Sequence, residues 1–393
     1  MTTDTMSKNT PKLKLTILLV STLTVMSIVT ISPSLPEMST AFPQIKNAEF
    51  LVKLALTLPA LFIAITSPFA GLLIDRYGRL KLLWVVLLMY AIAGASGFFL
   101  TNIYHILISR AILGISVGVS MTIVITLIAD YFEGAERQKF VGIQVAFMSL
   151  GGIVFIGLGG ILADIGWRYP FLLYLFSLPI IPFAILYLYE PDIEHKEIDQ
   201  IIKINPPKIV WLLLVNVMIM WILFFMIPVQ IPFFLKAIGV EKNALVGLAI
   251  ALSTAFSAIS SFSYSKIKNK LNFFTIFSIG YIFLAISFGL VAIAESYIIV
   301  AVAMMVGGFG MGMMIPNTNM WVMKVTSPEI RGKVIGGLTT FWFFGQFISP
   351  IILMPISNAY SFSEMFYIGA AFLVLLSIGF LVLHLVKDKK ATV

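Results

Sequence analysis

The chain reads as an all-α polytopic membrane protein, with twelve transmembrane helices in two six-helix bundles. Three observations lead there. Residues are 60% hydrophobic and only 11% charged, where a soluble domain carries about a quarter charged residues. The apolar residues gather into twelve runs of roughly 20, the length that crosses the hydrocarbon core of a bilayer. A polar stretch at 190–208 then divides the chain into two groups of six runs. The runs lack the alternation of barrel strands, so helices are the structure that keeps every backbone polar group satisfied in lipid.

In order, the first six windows fall at 14–34, 51–71, 82–100, 105–128, 139–162 and 169–189. The second six fall at 209–234, 244–264, 273–294, 297–323, 334–356 and 364–386. The first run is too long for a signal peptide, and Ser32–Pro36 makes a poor cleavage site, so it is expected to remain a helix. The expected domains are therefore an N-terminal bundle over 1–189, a linker over 190–208 rich in proline and mixed charge, and a C-terminal bundle over 209–393. An even number of spans puts both termini on one side. Taking that side as inner, the inner segments hold 20 Lys and Arg residues. The outer segments hold 5, namely Lys46, Lys53, Arg168, Lys236 and Lys242, and Arg110 is left within a helix. The asymmetry predicts an integral plasma-membrane protein with both termini cytoplasmic. The net charge of +8 is thus a topology signal and does not point to nucleic acid. With no cysteine, disulfide and thiol chemistry are excluded.

Sliding the sequence by 194 residues places Arg137 on Arg331, Lys139 on Lys333, Gly142 on Gly336 and Gly151 on Gly345. Matching polar turns in two halves are the mark of an internally duplicated transporter.

The most specific segment joins the second and third helices: Gly71-Leu-Leu-Ile-Asp75-Arg76-Tyr-Gly78-Arg79-Leu-Lys81. Gly71 removes a side chain where helices are expected to pack closely. Gly78 permits the backbone reversal, and Arg79 and Lys81 anchor the turn at headgroup level. The segment resembles the loop motif of the major facilitator superfamily, G-x-x-x-D-R-x-G-R-x-K, at every defining position, and the chain as a whole resembles that family's twelve-helix drug:proton antiporter branch. The resemblance implies that Asp75 lies at the start of the eleventh helix, near Lys333, and that Arg79 pairs with Asp130. It makes Gly71, Asp75, Arg76, Gly78, Arg79 and Asp130 a gate that stabilises the outward-facing state. The second-half copy has Asn269 in place of Asp75 and Asn272 in place of Gly78, leaving a basic turn of Lys266, Lys268 and Lys270.

Arg110, Gly114 and Gly118 share one helical face by four-residue spacing. They resemble the fourth-helix motif of the family, whose arginine helps couple protons, and an ionisable group at this depth is a functional candidate on physical grounds as well. Headgroup snorkelling by Arg110, with glycines that only pack, is the alternative. In the fifth helix Gly151, Gly159 and Gly160 match the antiporter signature, but Phe155-Ile156 stands where that signature has Gly-Pro. Pro350, at the repeat position of Ile156, is expected to supply the helix-kinking residue instead. No carboxylate lies deep within the first or fourth helix. If protons drive transport, Glu37 or Asp164 carries them from the outer rim, or Arg110 couples through substrate and water. Alternatively, Arg110 binds an anionic group of the substrate, or transport is uniport or exchange.

The family's architecture implies a cavity lined by polar and aromatic residues: Gln144, Asn216, Trp221, Gln230, Asn317, Asn319, Trp342 and Gln346. Asn317 and Asn319 beside Pro316 are expected to break their helix. Dense methionine in the seventh and tenth helices suits varied amphipathic substrates. The sequence carries no metal, nucleotide or nucleophile signature, so no cofactor and no enzyme activity are expected. The expected function is secondary export of small amphipathic molecules, drug-like compounds or metabolites, by proton antiport with alternating access. The expected partners are a small-molecule substrate, the proton and membrane lipid, and the protein is expected to be a monomer. A dedicated exporter or importer of one metabolite (a siderophore, sugar or organic acid) is the alternative, and a non-transporting sensor on the same scaffold a further one.

Overall fold

Lipid offers the backbone no hydrogen-bond partner, and the chain answers with helices. The computed structural model describes residues 10–191 and 206–391. Among the described residues, twelve helices are long and apolar enough to cross a membrane. In the first half these are α1 (Pro11–Thr40), α2 (Ala48–Tyr77), α3 (Arg79–Ser96), α4 (Ile103–Tyr131), α5 (Gly134–Ile165) and α6 (Tyr169–Tyr187). In the second they are α7 (Lys208–Ala237), α8 (Asn243–Lys268), α9 (Phe273–Ala292), α10 (Tyr297–Val325), α11 (Pro328–Ala359) and α12 (Phe362–Ala391). The chain divides into two compact units, Met1–Lys203 and Ile204–Val393. Most of the linker predicted over 190–208 falls on 192–205, outside the described residues.

In unit 1, α2 lies along α4, α3 also packs on α4, α1 runs beside α5, and α6 rests on α3 and α1. In unit 2, α8 lies along α10, α9 packs on α10 and α12, and α7 packs on α11. The duplication is visible residue by residue. Shifted by 194, α4 becomes α10 and α5 becomes α11 with identical bounds. The hydrogen bonds that close the turns repeat too. Arg137 donates to the Phe132 and Ala129 carbonyls at 2.8 and 2.6 Å. Arg331 donates to the equivalent Thr326 and Met323 carbonyls, both at 3.3 Å.

The closest helix contacts are built on glycine. A Cβ at Gly114 would lie 2.5 Å from the Pro59 carbonyl, and one at Gly118 would lie 3.3 Å from the Ile63 carbonyl. Their repeat mates Gly308 and Gly312 press on the Ser253 and Ser257 carbonyls, the repeat mates of Pro59 and Ile63. Association in lipid depends on such close approach, because there is no hydrophobic drive between helices. Gly159 meets the Thr30 carbonyl, Gly151 faces Thr22 and Gly160 is buried, which seats α5 on α1. Gly71 departs from expectation: nothing among the described residues comes within 4 Å of where its Cβ would be, so it is not a packing glycine.

The break expected at Pro316 does not occur. The Gly312 carbonyl loses its usual intrahelical donor there, yet α10 runs unbroken from Tyr297 to Val325. Pro350, buried within α11, likewise leaves that helix continuous. The many hydroxyls of α1 are absorbed locally: Ser21, Thr22 and Ser27 donate to carbonyls three or four residues back at 2.7–2.8 Å.

Gly114→Leu should lower the Tm of the purified protein by several degrees, the overpacking cost being about 1–3 kcal/mol. Gly142→Ala, with open space around the new methyl, should leave it unchanged. Equal Tm values for the two variants would show that the α2–α4 contact does not limit stability.

Candidate functional site

Each unit has one end where its hairpins are rich in Lys and Arg. At this basic end of unit 1, α2 stops at Tyr77 and α3 starts at Arg79, with Gly78 alone between them at φ +82°. Only glycine adopts that backbone without strain. The first N–H groups of α3 lack intrahelical acceptors, and Glu190 supplies them. Its Oε1 accepts from the Arg79 N–H at 2.7 Å and its Oε2 from the Leu80 N–H at 2.9 Å. The Arg79 side chain then turns to the end of α4, with Nε 2.8 Å from Asp130 Oδ2, and its Nη1 lies 3.7 Å from Glu190. Nε has no aligned hydrogen bond, so the contact with Asp130 is charge attraction rather than a directed bond. At 12% and 22% side-chain exposure the pair is shielded well beyond an ordinary surface ion pair. Tyr131 fixes the segment before Glu190: its hydroxyl donates to the Tyr189 carbonyl at 2.5 Å and accepts from the Tyr189 N–H at 3.2 Å. Burial lifts the Tyr189 phenol above its ordinary value. Lys14 pairs with Glu136 at 2.8 Å and ties α1 to α5 at the same end. Asp75 and Arg76 are exposed on the last turn of α2.

Arg110 is completely buried in unit 1; it does not snorkel. Its Nη2 donates to the carbonyls of Ala93 and Gly94 at 3.2 and 2.7 Å, the last turn of α3. Its guanidinium carbon lies 4.9 Å from the centre of the Phe171 ring and 4.8 Å from that of Tyr174. A desolvated cation held between rings gains about 2 kcal/mol or more from such contacts. Glycine makes the room, since a Cβ at Gly94 would collide with Tyr174 and one at Gly97 with Phe171. Tyr174 and Tyr90 donate in turn to the Ser27 and Leu23 carbonyls of α1 at 3.3 and 3.0 Å. Nε and Nη1 have no hydrogen-bond partner. The charge is thus held by carbonyl dipoles and ring faces where α3, α4 and α6 meet.

The residues expected to bind substrate fall into separate settings. In unit 1, Gln144 donates to the Ser21 hydroxyl at 3.0 Å, and Glu37 is half-buried near the far end of α1. In unit 2, Trp221 of α7 stacks on Trp342 of α11 with centroids 4.3 Å apart. Gln346 shares the face of Trp342 one turn on and is buried with its Oε1 unpaired, as is the Trp221 N–H. Asn216 accepts from the buried Tyr281 hydroxyl at 2.6 Å and keeps an unpaired Nδ2. Gln230 is fully buried in α7. Asn317 is spent on structure, its Oδ1 accepting from Tyr264 at 3.1 Å and its Nδ2 donating to the Phe273 carbonyl at 3.0 Å. Asn319, two residues on, is exposed. Glu190 is the functional-site residue that the sequence did not single out. The available signal was a carboxylate directly after an apolar run, at the end where the hairpin arginine lies.

Twelve crossing helices in two duplicated units, one closed by a charged hairpin, define a membrane transporter scaffold. The family model described as Major Facilitator Superfamily matches residues 17–350 and 242–393. The chain belongs to the major facilitator superfamily and is a transporter rather than an enzyme. It is 27% identical over 387 residues to the bacillibactin exporter of Bacillus subtilis, covering 91% of this chain and 92% of that one. It is also 36% identical to multidrug resistance protein 2 of the same organism, over 107 residues that make up 27% of each chain. The quinolone resistance protein NorA of Staphylococcus aureus matches at 32% over 107 residues, 27% of this chain and 28% of its own. Among solved structures, the nucleoside transporter NupG shares the fold with a TM-score of 0.78 at 13% identity, over 94% of this chain and 99% of its own.

Two variants test this geometry. Arg110→Met, which installs the residue found at its repeat position (Met304), should keep Tm within a few degrees, because an apolar replacement of similar volume removes the desolvation cost with the charge. Arg110→Ala should lower it markedly through the cavity left behind. Glu190→Ala should cost about 0.5–2 kcal/mol by uncapping α3, read as the shift in thermal melting in detergent.

Proposed function

We propose that the protein exports small amphipathic molecules by proton antiport, with its basic ends at the cytoplasmic face of the plasma membrane and its two units alternating access. The observation that carries export is the match along essentially the full chain to a bacterial exporter. The charge distribution supports the orientation. In this reading Asp75, Arg76, Gly78, Arg79 and Asp130 form the cytoplasmic gate, and Glu190 holds Arg79 in place. Arg110 is the fixed intramembrane charge and Glu37 carries the exchangeable proton, the two ingredients of an intramembrane proton relay. Gln144, Asn216, Trp221, Gln230, Asn319, Trp342 and Gln346 bind substrate. The stacked tryptophans offer flat apolar area, and the unpaired amide atoms of Asn216 and Gln346 offer hydrogen bonds to a polar handle. The transporter works as a monomer in lipid.

A second reading, dedicated export of one metabolite such as a siderophore, is favoured by a specific contrast. The match to the bacillibactin exporter covers 91% of the chain, whereas the matches to the two drug-resistance proteins cover 27%. Expression in a drug-sensitive host separates the readings: protection against several unrelated toxins supports broad export, and secretion of a single metabolite without such protection supports the dedicated one.

Counterflow in proteoliposomes should accelerate when a pH gradient is imposed, and flux indifferent to that gradient would remove proton antiport. Asp75→Asn should slow transport roughly tenfold, the equivalent of about 1.4 kcal/mol, with unchanged membrane insertion. Normal turnover in that variant would remove the gate.

A further inference from the structure

The ionic node of unit 1 has a counterpart in unit 2, and its charge is inverted. Adding 194 carries Gly78 to Asn272, Arg79 to Phe273, Asp130 to Lys324 and Glu190 to His384. The four counterparts contact one another as the originals do. Lys324 Nζ lies 5.7 Å from the centre of the Phe273 ring, where Asp130 meets Arg79. The Asn272 amide nitrogen lies 3.0 Å from the His384 ring, where Glu190 caps the turn at Gly78. The base has become a neutral ring, and both acids have become a lysine and a histidine.

Lys268 joins from the end of α8. Its Nζ lies 4.1 Å from the centre of the same Phe273 ring and donates one hydrogen bond, to the Leu271 carbonyl at 3.0 Å. The ring is fixed on the other side. Trp321 stacks on it at 5.2 Å with the planes 12° apart, and Asn317 holds the Phe273 carbonyl at 3.0 Å. Two ammonium groups therefore converge on one immobilised ring, and ring contact cancels little of their mutual repulsion. Lys266 and Lys270 are exposed nearby in sequence. The acids that the sequence places at this end, Glu329 and Asp388, have side chains outside the described residues. Among the described residues every ion pair lies in unit 1, and no described carboxylate pairs with Lys268 or Lys324.

We propose that this node binds the phosphate of an anionic phospholipid headgroup, with Lys268 and Lys324 as the phosphate contacts and the Phe273–Trp321 stack beside the glycerol backbone. The position argues for lipid over a soluble anion. The node is made from the end of α8, the start of α9, the end of α10 and the last membrane-spanning turns of α12, which places it at headgroup depth. Aromatic rings beside basic residues are the usual furniture of that layer, and basic clusters there attract anionic lipid. Where unit 1 neutralises its hairpin with its own carboxylates, unit 2 takes its counter-charge from the bilayer.

The test is lipid retention by the full-length transporter, reconstituted in phosphatidylglycerol–phosphatidylcholine vesicles, extracted, and weighed by native mass spectrometry. Lys268→Gln with Lys324→Gln should weaken phosphatidylglycerol retention by at least about tenfold, given roughly 1 kcal/mol per basic residue at the surface. Lys208→Gln with Lys333→Gln removes the same charge from the same end and should leave retention nearly intact. Equal losses in both pairs would overturn the proposal in favour of diffuse attraction. Phe273→Arg with Lys324→Asp transplants the ion pair of unit 1; it should fold as well as wild type and lose the preference for phosphatidylglycerol over phosphatidylcholine. Retained preference would also overturn the site. If inorganic phosphate competes away the bound phosphatidylglycerol and stabilises the protein equally in pure phosphatidylcholine, the site takes a soluble anion and the lipid assignment falls. These readouts do not involve flux, so they stand or fall separately from proton antiport.

Discussion

Charge is costly in hydrocarbon, and the Arg79 side chain with its two carboxylates is where unit 1 meets that constraint. A single glycine separates α2 from α3, so the reversal is too short to satisfy the first amides of α3 from within the turn. Glu190 satisfies two of them and draws the chain after α6 onto the hairpin. Asp130 brings in the end of α4. Three helix ends thereby share one electrostatic knot, which the Tyr131–Tyr189 hydrogen bonds reinforce. Loss of Arg79 leaves the partly buried Asp130 carboxylate without its partner, which costs more than the net worth of the pair.

The second buried charge follows a different rule. Arg110 has carbonyls and rings around it, an arrangement made possible by Gly94 in α3 and Gly97 just after it, which leave room for Tyr174 and Phe171. Unit 2 solves the same packing problem without charge. Met304 stands at the repeat position of Arg110, and Phe288 stands at that of Gly94 and packs on Gly369. The duplicated halves are therefore alike in backbone and unlike in chemistry. Among the described residues the fully buried charged side chains, Lys53 and Arg110, lie in unit 1, while unit 2 carries stacked tryptophans and buried amides.

Much of this was legible in the sequence because it is local. Spans follow from length and hydropathy, and the hairpin from two glycines and four charges within eleven residues. The 194-residue repeat was visible in two basic residues and two glycines, and it extends to whole helices and to the arginines that close their turns. What was not legible depended on distance or direction. Glu190 is 111 residues from Arg79, and as a charge beside a proline it reads as the start of a linker. Asn317 reads as a ligand group because amides are rare in such helices, but both ends of its side chain are used within unit 2. Pro316 reads as a break, although the flanking helix and the close α8–α10 contact hold the backbone helical. Gly71 reads as a packing residue from spacing alone, and spacing does not say which face a partner covers.

The glycine contacts explain why the two halves could diverge so far. Gly114 and Gly118 on α4, like Gly308 and Gly312 on α10, approach backbone carbonyls of the facing helix, with the Phe62 and Thr66 Cβ atoms alongside in unit 1. A contact made between backbones places almost no demand on the residues around it. The helix pairs α2–α4 and α8–α10 thus keep their geometry whatever the neighbouring positions hold, and the hairpin that follows each first helix is free to change its chemistry. In unit 1 that hairpin holds an arginine clasped by acids; in unit 2 the same positions hold a phenylalanine beside lysines. The scaffold is specified by glycine and backbone, and the charges placed upon it distinguish one half from the other.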